Sequence, residues 1–255
     1  MKSIIFSIGP FTVYGYGLMI ALGVVAAYIT VSKRAPKFQL NPDLVFDLAI
    51  FCLLGGLIGS KLLYWITILP EIIEDPSRIL DSLANGFVVY GGIIGGILGG
   101  FLFCHLKKIN FLQYFDLVMP SVALAQGFGR IGCFLAGCCY GMETDSACHV
   151  IFPAGSLAPA GVPLLPTQLF SAGLDFAHFF VLCWFASRKK ADGQVAALYL
   201  IFYSIGRFIL EYFRGDLERG SVGTFSTSQF ISLFILVAGI GIFVGVQAWK
   251  RRQKQ

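Results

Sequence analysis

The sequence predicts an all-α membrane protein, a polytopic bundle of about seven transmembrane helices that forms a single integral membrane domain over residues 1–255. Two observations predict this fold class. Only 13% of the residues are charged and 56% are hydrophobic, whereas a soluble domain carries roughly 25% charged residues. The apolar residues also form runs of about 20, which is the length that spans the hydrocarbon core of a bilayer.

Seven apolar segments with short connections use up nearly the whole chain, so no separate soluble domain fits. We place them at residues 11–31, 44–66, 87–105, 112–134, 167–187, 195–213 and 228–249. The first segment has no basic start and no small-residue cleavage site, so we expect it to remain in the protein as a helix.

The basic residues are distributed unevenly between the two sides of the predicted bundle. Twelve of the 19 follow the first, third, fifth and seventh segments, and only four lie on the other side. The positive-inside rule assigns the richer side to the cytoplasm, which predicts an outside N-terminus and a cytoplasmic C-terminus. The net charge of +5 is explained by this topology, and we expect no nucleic-acid partner.

Three basic residues remain, and all of them fall inside apolar segments: Lys61, Arg130 and Arg207. A cation in hydrocarbon is costly, and its default interpretation is a functional site. Snorkelling toward a nearby interface is the alternative for both arginines. Their similar depth on the outer side favours one shared anionic ligand.

Small residues surround Arg130 at the end of the fourth segment. Gly129 and Gly132 flank it, and Gly141 closes the same glycine-rich run. Glycines let a helix or a lipid headgroup approach closely, and a guanidinium group binds phosphate through two hydrogen bonds. Helix packing explains the glycines but not the arginine, so we expect these residues to bind a lipid phosphate.

The second arginine lies on a polar helix face in the sixth segment. Tyr203, Arg207 and Glu211 are spaced at i, i+4 and i+8, and Arg214 follows three residues later. Residues with this spacing share one face, so Tyr203 and Glu211 are predicted to hold Arg207 toward a ligand, with Arg214 in support. The alternative is an ion pair that only holds the bundle together.

Three further polar residues are predicted at the outer ends of their segments. Tyr16 and Gln168 are placed near the same level as the arginines, and Tyr90 opens the third segment. The glycines that follow Tyr90 recur every four residues, which indicates a close-packing face.

Four of the seven cysteines lie at or beyond the outer surface, namely Cys133, Cys138, Cys139 and Cys148. Their spacing matches no standard zinc pattern, and we predict no metal site and no cofactor. A disulfide to Cys148 is the expected use of a thiol on an oxidising face.

These residues together resemble the bacterial prolipoprotein diacylglyceryl transferases over nearly the whole chain. The resemblance rests on a set of motifs in a fixed order: Ile8-Gly-Pro, Tyr16-Gly-Leu-Met, Tyr90-Gly-Gly, Asp116 with Pro120, Gly129-Arg-Ile-Gly, Pro166-Thr-Gln-Leu, the Tyr203 to Arg214 face, and Gln229. It implies a multi-pass enzyme of the bacterial inner membrane. Such an enzyme moves the diacylglyceryl group of phosphatidylglycerol to the lipobox cysteine of a prolipoprotein and releases glycerol phosphate.

The resemblance also implies roles for the residues already singled out. Arg130, Arg207 and Tyr90 are expected to be catalytic, and the lipid is expected to contact Arg130, Gly129, Gly132, Tyr16, Tyr203, Gln168 and Gly141. Because the nucleophilic thiol belongs to the substrate, no enzyme thiol is required.

This chain departs from the family pattern where many members carry histidine, asparagine and glutamate. Tyr90 and Leu165 replace histidines, Phe170 replaces a tyrosine, and Cys133 and Cys138 replace the asparagine and glutamate. Tyr90, activated by an arginine, or the substrate phosphate is therefore expected to act as the base. A phospholipid transporter or scramblase and an inactive family member remain the alternative functions.

Overall fold

The computed structural model describes residues 4–8, 11–83, 85–216 and 221–253. The Gly9–Pro10 pair of the first motif and the terminal or loop residues Lys2, Glu218, Arg219, Lys254 and Gln255 lie outside the described residues. The chain forms two compact units, one made of Met1–Val31 with Phe115–Gln255 and the other of Ser32–Tyr114.

Seven helices in the described part of the chain are long and apolar enough to cross a membrane. They are α1 (Gly15–Arg34), α2 (Asp43–Thr67), α5 (Val89–Leu106), α6 (Phe111–Ala136), α7 (Thr167–Ala186), α8 (Gln194–Glu211) and α9 (Thr227–Arg252). Two short helices, α3 (Leu69–Glu74) and α4 (Arg78–Asp81), connect α2 to α5. The all-α fold class and the seven spans are therefore confirmed.

The predicted start of the first segment is wrong by four residues. Phe11–Tyr14 forms strand β2, which pairs antiparallel with β1 (Ile4–Ile8), and helix α1 begins only at Gly15. Thr12 and Val13 are β-branched and favour extended backbone, so an apolar run that looks helical by composition begins as a hairpin.

In the unit Ser32–Tyr114, helices α2 and α5 pack backbone against backbone. A methyl group added at Gly95 would lie 2.1 Å from the carbonyl oxygen of Gly55, and one added at Gly59 would lie 2.4 Å from that of Gly91. Real Cβ atoms do not approach so closely, so only glycine fits at these crossing points. The close-packing face predicted from the glycine spacing of α5 is confirmed.

Lys61 belongs to the same unit and has a structural role. Its ammonium group donates to the backbone carbonyls of Ser82, of Asn85 at 2.6 Å and of Gly86 at 3.1 Å, and it lies 4.5 Å from the ring centroid of Phe87. Three carbonyl acceptors use all three donors of an ammonium group. Lys61 thus fastens the α4–α5 connection onto α2.

In the other unit, a buried aspartate ties α6 to the start of α8. Asp116 is 2% exposed and accepts hydrogen bonds from the backbone N–H groups of Gly193 and Ala196, each at 2.9 Å, and it pairs with Lys189 at 2.8 Å. Free N–H groups at a helix N-terminus favour a carboxylate, so Asp116 fixes the ends of α7 and α8 against α6.

The start of α9 is fixed by a capping box. The Ser226 hydroxyl accepts from the Gln229 N–H at 3.2 Å, and the Gln229 side chain accepts from the Ser226 N–H at 3.1 Å. Ser226 also donates to Glu211 at the end of α8 at 3.0 Å. The capping box therefore also holds the carboxylate of Glu211 in place.

The connection between α6 and α7 folds into a small apolar cap. Its strands β3 (Val150–Ile151) and β4 (Pro163–Leu164) pair antiparallel. Phe152, Ala158 and Leu164 form a buried cluster, against which the side chain of Phe134 packs. The last pair of strands, β5 (Ser221–Val222) and β6 (Phe225–Ser226), leads into α9.

Candidate active site

A cavity of about 460 Å³ lies between the end of α6 and helices α7 and α8. Arg130, Tyr203 and Arg207 line it, as the sequence predicted for a shared ligand site. The guanidinium group of Arg130 has no hydrogen bond and no ion pair within 4.0 Å to any residue that the structure describes. Its five donors are thus free for a ligand.

Arg207 is held from two sides within the same cavity. Its guanidinium group pairs with Glu211 at 2.9 Å and donates to the hydroxyl of Ser228 at 2.9 Å. The predicted partnership with Glu211 on one helix face is present. Tyr203 lines the cavity and stacks on Tyr199 with ring centroids 6.0 Å apart, so it shapes the wall beside the arginine.

Sequence reasoning missed two ionisable side chains of α7 that line this cavity, Asp175 and His178. Asp175 interacts electrostatically with Arg130, although the two form no ion pair within 4.0 Å in the described part of the chain. A carboxylate in an apolar segment was a visible signal, since it carries the same cost as an intramembrane arginine. His178 is 8% exposed and stacks on Tyr199 at 5.2 Å.

Helix α6 ends in a double reversal that turns the chain back toward Arg130. Gly137 has φ of 77° and Cys139 has φ of 59°, so both lie in the left-handed region. The Cys138 N–H donates to the carbonyl of Cys133 at 3.1 Å, and the Gly137 N–H donates to that of Phe134 at 3.2 Å, which is a helix C-cap of the Schellman kind. A non-glycine residue in this conformation is strained and needs external support.

The start of α7 supplies that support. The Thr167 hydroxyl donates to the carbonyl of Cys139 at 3.0 Å, and the amide nitrogen of Gln168 donates to that of Cys138 at 2.8 Å. Gln168 is only 1% exposed. Its observed contact positions the cysteine turn, and direct contact with a lipid stays a prediction.

The turn brings three thiols together that the sequence spacing did not predict. The sulfur atoms of Cys133, Cys138 and Cys139 all lie within 4.8 Å of one another. All seven cysteines are in the described residues and none is disulfide-bonded, so the expected disulfide to Cys148 is wrong. Cys148 lies exposed in the α6–α7 connection, away from this group of thiols.

Hydrogen bonds among the three thiols and nearby charges shift their pKa values in different directions. Hydrogen bonds from the Cys133 and Cys138 thiols, together with the nearby charge of Arg214, hold the pKa of Cys139 well below its usual range. Hydrogen bonds with the other two thiols and burial raise the pKa of Cys138. Cys139 thus interacts with the guanidinium group of Arg214 as well as with the other two thiols.

Arg214 stands at the edge of this site through contacts of backbone and side chain. Its backbone pairs with Gly141 in an isolated antiparallel bridge, and its guanidinium group forms two hydrogen bonds to Asp216 at 2.6 and 2.8 Å. A methyl group at Gly141 would lie 2.6 Å from the Leu165 carbonyl oxygen. Gly141 therefore allows a close backbone crossing, and its predicted contact with the lipid stays a prediction.

Helix α1 contributes Tyr16 to the same region. Its ring lies 3.2 Å from where a Cβ of Gly132 would stand, and it interacts electrostatically with Arg130 and the three cysteines. At Gly129, in contrast, an added methyl group would meet no atom within 4 Å. The space next to Gly132 is thus filled by the ring of Tyr16, whereas the space next to Gly129 is empty.

Comparison with known proteins decides the family of the chain. The family model described as prolipoprotein diacylglyceryl transferase matches residues 3–245. The chain belongs to the prolipoprotein diacylglyceryl transferase family. It is 50% identical over 244 residues to phosphatidylglycerol–prolipoprotein diacylglyceryl transferase 2 of Clostridium perfringens, with 95% of this chain and 94% of that protein covered. Phosphatidylglycerol–prolipoprotein diacylglyceryl transferase of Clostridium tetani is 49% identical over 243 residues, with 95% of this chain and 97% of that protein covered.

The diacylglyceryl transferase motifs fall into both compact units. Arg130, Asp116, Gln229 and the Tyr203–Arg207 face belong to the larger unit, and Tyr90 belongs to the unit Ser32–Tyr114. Tyr90 is the second residue of α5, and 44% of it is exposed. Its role as the base stays a prediction. Asp116 and Gln229 are structural residues, which fix the helix ends described above.

Proposed function

We propose that this protein transfers the diacylglyceryl group of phosphatidylglycerol to the lipobox cysteine of prolipoproteins. The observation that carries the proposal is the cavity with two arginines, because Arg130 offers its free guanidinium group there beside Arg207. A phosphate of a membrane lipid matches that chemistry in charge and in geometry. Family membership and seven apolar helices place the reaction at the membrane.

The reaction is a displacement at carbon. The substrate thiolate attacks the glycerol carbon that bears the phosphate ester, a carbon–sulfur bond forms, and the carbon–oxygen bond breaks. The electron pair of that bond stays on the phosphate oxygen, so glycerol phosphate leaves with an added negative charge. Cationic donors that are already in place stabilise this charge most strongly where water is excluded.

Arg130 and Arg207 are expected to contribute differently to this stabilisation, because their surroundings differ. Arg207 is fixed by Glu211 and Ser228 and offers its remaining donors in one orientation. At Gly129, the residue before Arg130, an added methyl group would meet no atom within 4 Å, which leaves room for a headgroup on that side of α6. Tyr203 lines the same cavity as the two arginines.

The base that removes the thiol proton is proposed rather than located. Tyr90 and the phosphate of the substrate are the two groups that the sequence indicated, and the cavity adds the carboxylate of Asp175. Each has an oxygen that accepts a proton from a thiol placed within about 3 Å.

A transporter or scramblase remains the rival function. Such a protein needs polar side chains through the full depth of the membrane. Lys61, the third cation inside an apolar segment, uses its three donors on backbone carbonyls and is not available to a passing headgroup. No observation in the described residues favours this rival over transfer.

One assay tests the proposal and its rivals together. Purified protein is incubated with phosphatidylglycerol labelled in its acyl chains and with a peptide that contains a lipobox cysteine. We expect a thioether-linked, labelled peptide, and no product with a peptide in which serine replaces that cysteine. Absence of the thioether product, with lipid binding intact, would exclude the transferase and favour the rival.

The orientation of the chain is a separate proposal that rests on the excess of basic residues. A reporter fused after Gln255 is expected to be active only in the cytoplasm, and one fused before Met1 only outside it. A C-terminal reporter that is active outside the membrane would overturn the orientation and the assignment of the arginines to the outer side.

A further inference from the structure

The strongest feature that the proposed function does not use is the group of three thiols at the end of α6. The sulfur atoms of Cys133, Cys138 and Cys139 lie within 4.8 Å of one another. Three thiolates in tetrahedral coordination around one zinc ion stand about 3.8 Å apart at Zn–S bonds of about 2.3 Å. Only small side-chain rotations separate these two arrangements.

The backbone conformation at the end of α6 brings the three thiols close together. Two successive reversals at Gly137 and Cys139 occur in the left-handed region, which costs roughly 1–3 kcal/mol at the non-glycine position. Two buried side chains of α7 hold the turn by hydrogen bonds to the carbonyls of Cys138 and Cys139. A strained and externally supported turn is typical of a functional site.

We propose that Cys133, Cys138 and Cys139 bind one zinc ion, and that its fourth coordination position takes the thiol of the prolipoprotein cysteine as a thiolate. The inference rests on the proposed transferase function for the identity of the fourth ligand. Zinc sites with three protein ligands and one open position are catalytic, whereas structural sites are closed by four. This proposal departs from the expectation, drawn from the sequence, that the protein has no metal site.

The position of the site suits the reaction. Cys133 lies three residues after Arg130, so both project from one face of α6, about one helical turn apart. Arg130 interacts electrostatically with Cys133 and Cys139. A thiolate held at the zinc is thus next to the group proposed to bind the phosphate that leaves.

The local charges also fit a metal with thiolate ligands. Three thiolates and Zn²⁺ carry a net charge of −1, and a fourth thiolate makes it −2. The Arg214 guanidinium group hydrogen-bonds the Cys139 side chain and offsets part of this charge. Its own ion pair with Asp216 fixes its position.

Zinc supplies the step for which the protein has no located base. Coordination deprotonates the substrate thiol outright, and the proton is released to water. The zinc-bound thiolate then attacks the glycerol carbon, the carbon–oxygen bond breaks, and the electron pair goes to the phosphate oxygen. The product thioether is a neutral, weaker ligand and leaves the metal, which restores the open position without any change of oxidation state.

The metal site is tested first without lipid. Purified, reduced protein is titrated with Co²⁺, which gives a sulfur-to-cobalt absorption band in a thiolate site, and its bound zinc is counted by elemental analysis. We expect one metal ion per chain. The Cys138→Ala variant should lose most of the bound metal, and the matched control Cys148→Ala, which removes an exposed thiol outside the site, should retain it.

The fourth ligand is tested with the lipobox peptide added to the cobalt protein. The cysteine peptide should raise the charge-transfer band by about one third, because a fourth thiolate joins three, and the serine peptide should leave it unchanged. No cobalt band in unmodified protein, an unchanged band with the cysteine peptide, or a disulfide among the three thiols would each overturn the proposal.

Activity separates this proposal from the proposed function. Chelator-treated, metal-free protein should lose transfer, and added Zn²⁺ should restore it. Full transfer by the metal-free protein would overturn the zinc site and leave the transferase function intact. Metal binding and peptide coordination without any thioether product would support the site and overturn the transferase function.

Discussion

The glycines of this protein lie in two opposite surroundings. Between α2 and α5, a methyl group at Gly95 would overlap the carbonyl oxygen of Gly55 at 2.1 Å, because the two backbones touch there. In α6, a methyl group at Gly129 would meet no atom within 4 Å. The space between α2 and α5 is filled by backbone, whereas the space next to Gly129, the residue before Arg130, is empty.

This difference teaches how to interpret glycine-rich helices in a membrane. Apolar helices rich in glycine bring their backbones together, since close contact is the main source of their association. A helix that also carries an intramembrane arginine needs room for the counter-charge of that arginine. The arginine, and not the glycine spacing, distinguishes a ligand site from a packing face, and substitutions at four positions test the distinction.

The largest effect is expected at Arg130, where the open surroundings predict loss of function without loss of fold. Arg130→Gln keeps hydrogen-bond donors but removes the charge, and Arg130→Ala removes both. Each should lower the transfer rate by about 10²–10³-fold, as expected for one donor to a developing anion. Lipid binding and turnover are measured separately in the folded protein.

Arg188→Gln is the matched control, because Arg188 is an exposed arginine outside the cavity. It should transfer at the parent rate. If Arg130→Gln also binds and transfers phosphatidylglycerol at close to that rate, Arg130 only snorkels to the interface and the site assignment is wrong.

A smaller loss is expected at Arg207, which has partners of its own. Arg207→Lys keeps the positive charge but replaces the planar guanidinium group, which has five donors, by a compact ammonium group. The lysine therefore cannot contact Glu211, Ser228 and a phosphate in the same way. We expect transfer to fall about 10- to 100-fold, with Arg188→Lys as the control. Near-normal turnover by Arg207→Lys would show that the ion pair with Glu211 is the main role of Arg207.

At Gly95, where the backbone of α2 fills the space, we expect a loss of stability rather than a loss of catalysis. Gly95→Ala forces a methyl group into the Gly55 carbonyl and should destabilise the protein by about 1–3 kcal/mol. Gly96→Ala is the control, because its added methyl group would lie 3.4 Å from the nearest atom, the carbonyl oxygen of Cys52. Thermal unfolding in detergent measures both, and equal melting temperatures would contradict the backbone contact.

The smallest effect is expected at Gly129, where stability and activity should move in opposite directions. Gly129→Ala should stabilise the helix by roughly 0.5–1 kcal/mol. It should also lower the transfer rate roughly fivefold, which is a rise of about 1 kcal/mol in the activation free energy, because the methyl group takes up space that we expect the lipid headgroup to use. Gly173→Ala in α7 is the control, since its added methyl group would also meet no atom within 4 Å and Gly173 is not next to either arginine in the sequence. Equal transfer by the two variants would remove Gly129 from the lipid site.

The sequence by itself determined the helices and the two arginines. Seven runs of apolar residues predict seven spans, and α7 begins at Thr167 in both prediction and structure. The cost of a cation in hydrocarbon marked Arg130 and Arg207, and helix periodicity placed Glu211 beside Arg207. These properties are local, because each depends on composition or on spacing within one segment. The hairpin ahead of α1 is the exception, since strand pairing with Ile4–Ile8 needs a partner outside the segment.

Only the tertiary structure decided which side chains from different helices meet. Asp175 and His178 face the cavity of Arg130 because α7 packs beside α6 and α8, and no pattern within α7 specifies that neighbour. The three thiols converge because α6 ends in two left-handed residues and because Gln168, 30 positions after Cys138, holds the turn. Contacts between residues far apart in the sequence depend on packing and on backbone dihedral angles, and neither is encoded in the spacing of the cysteines.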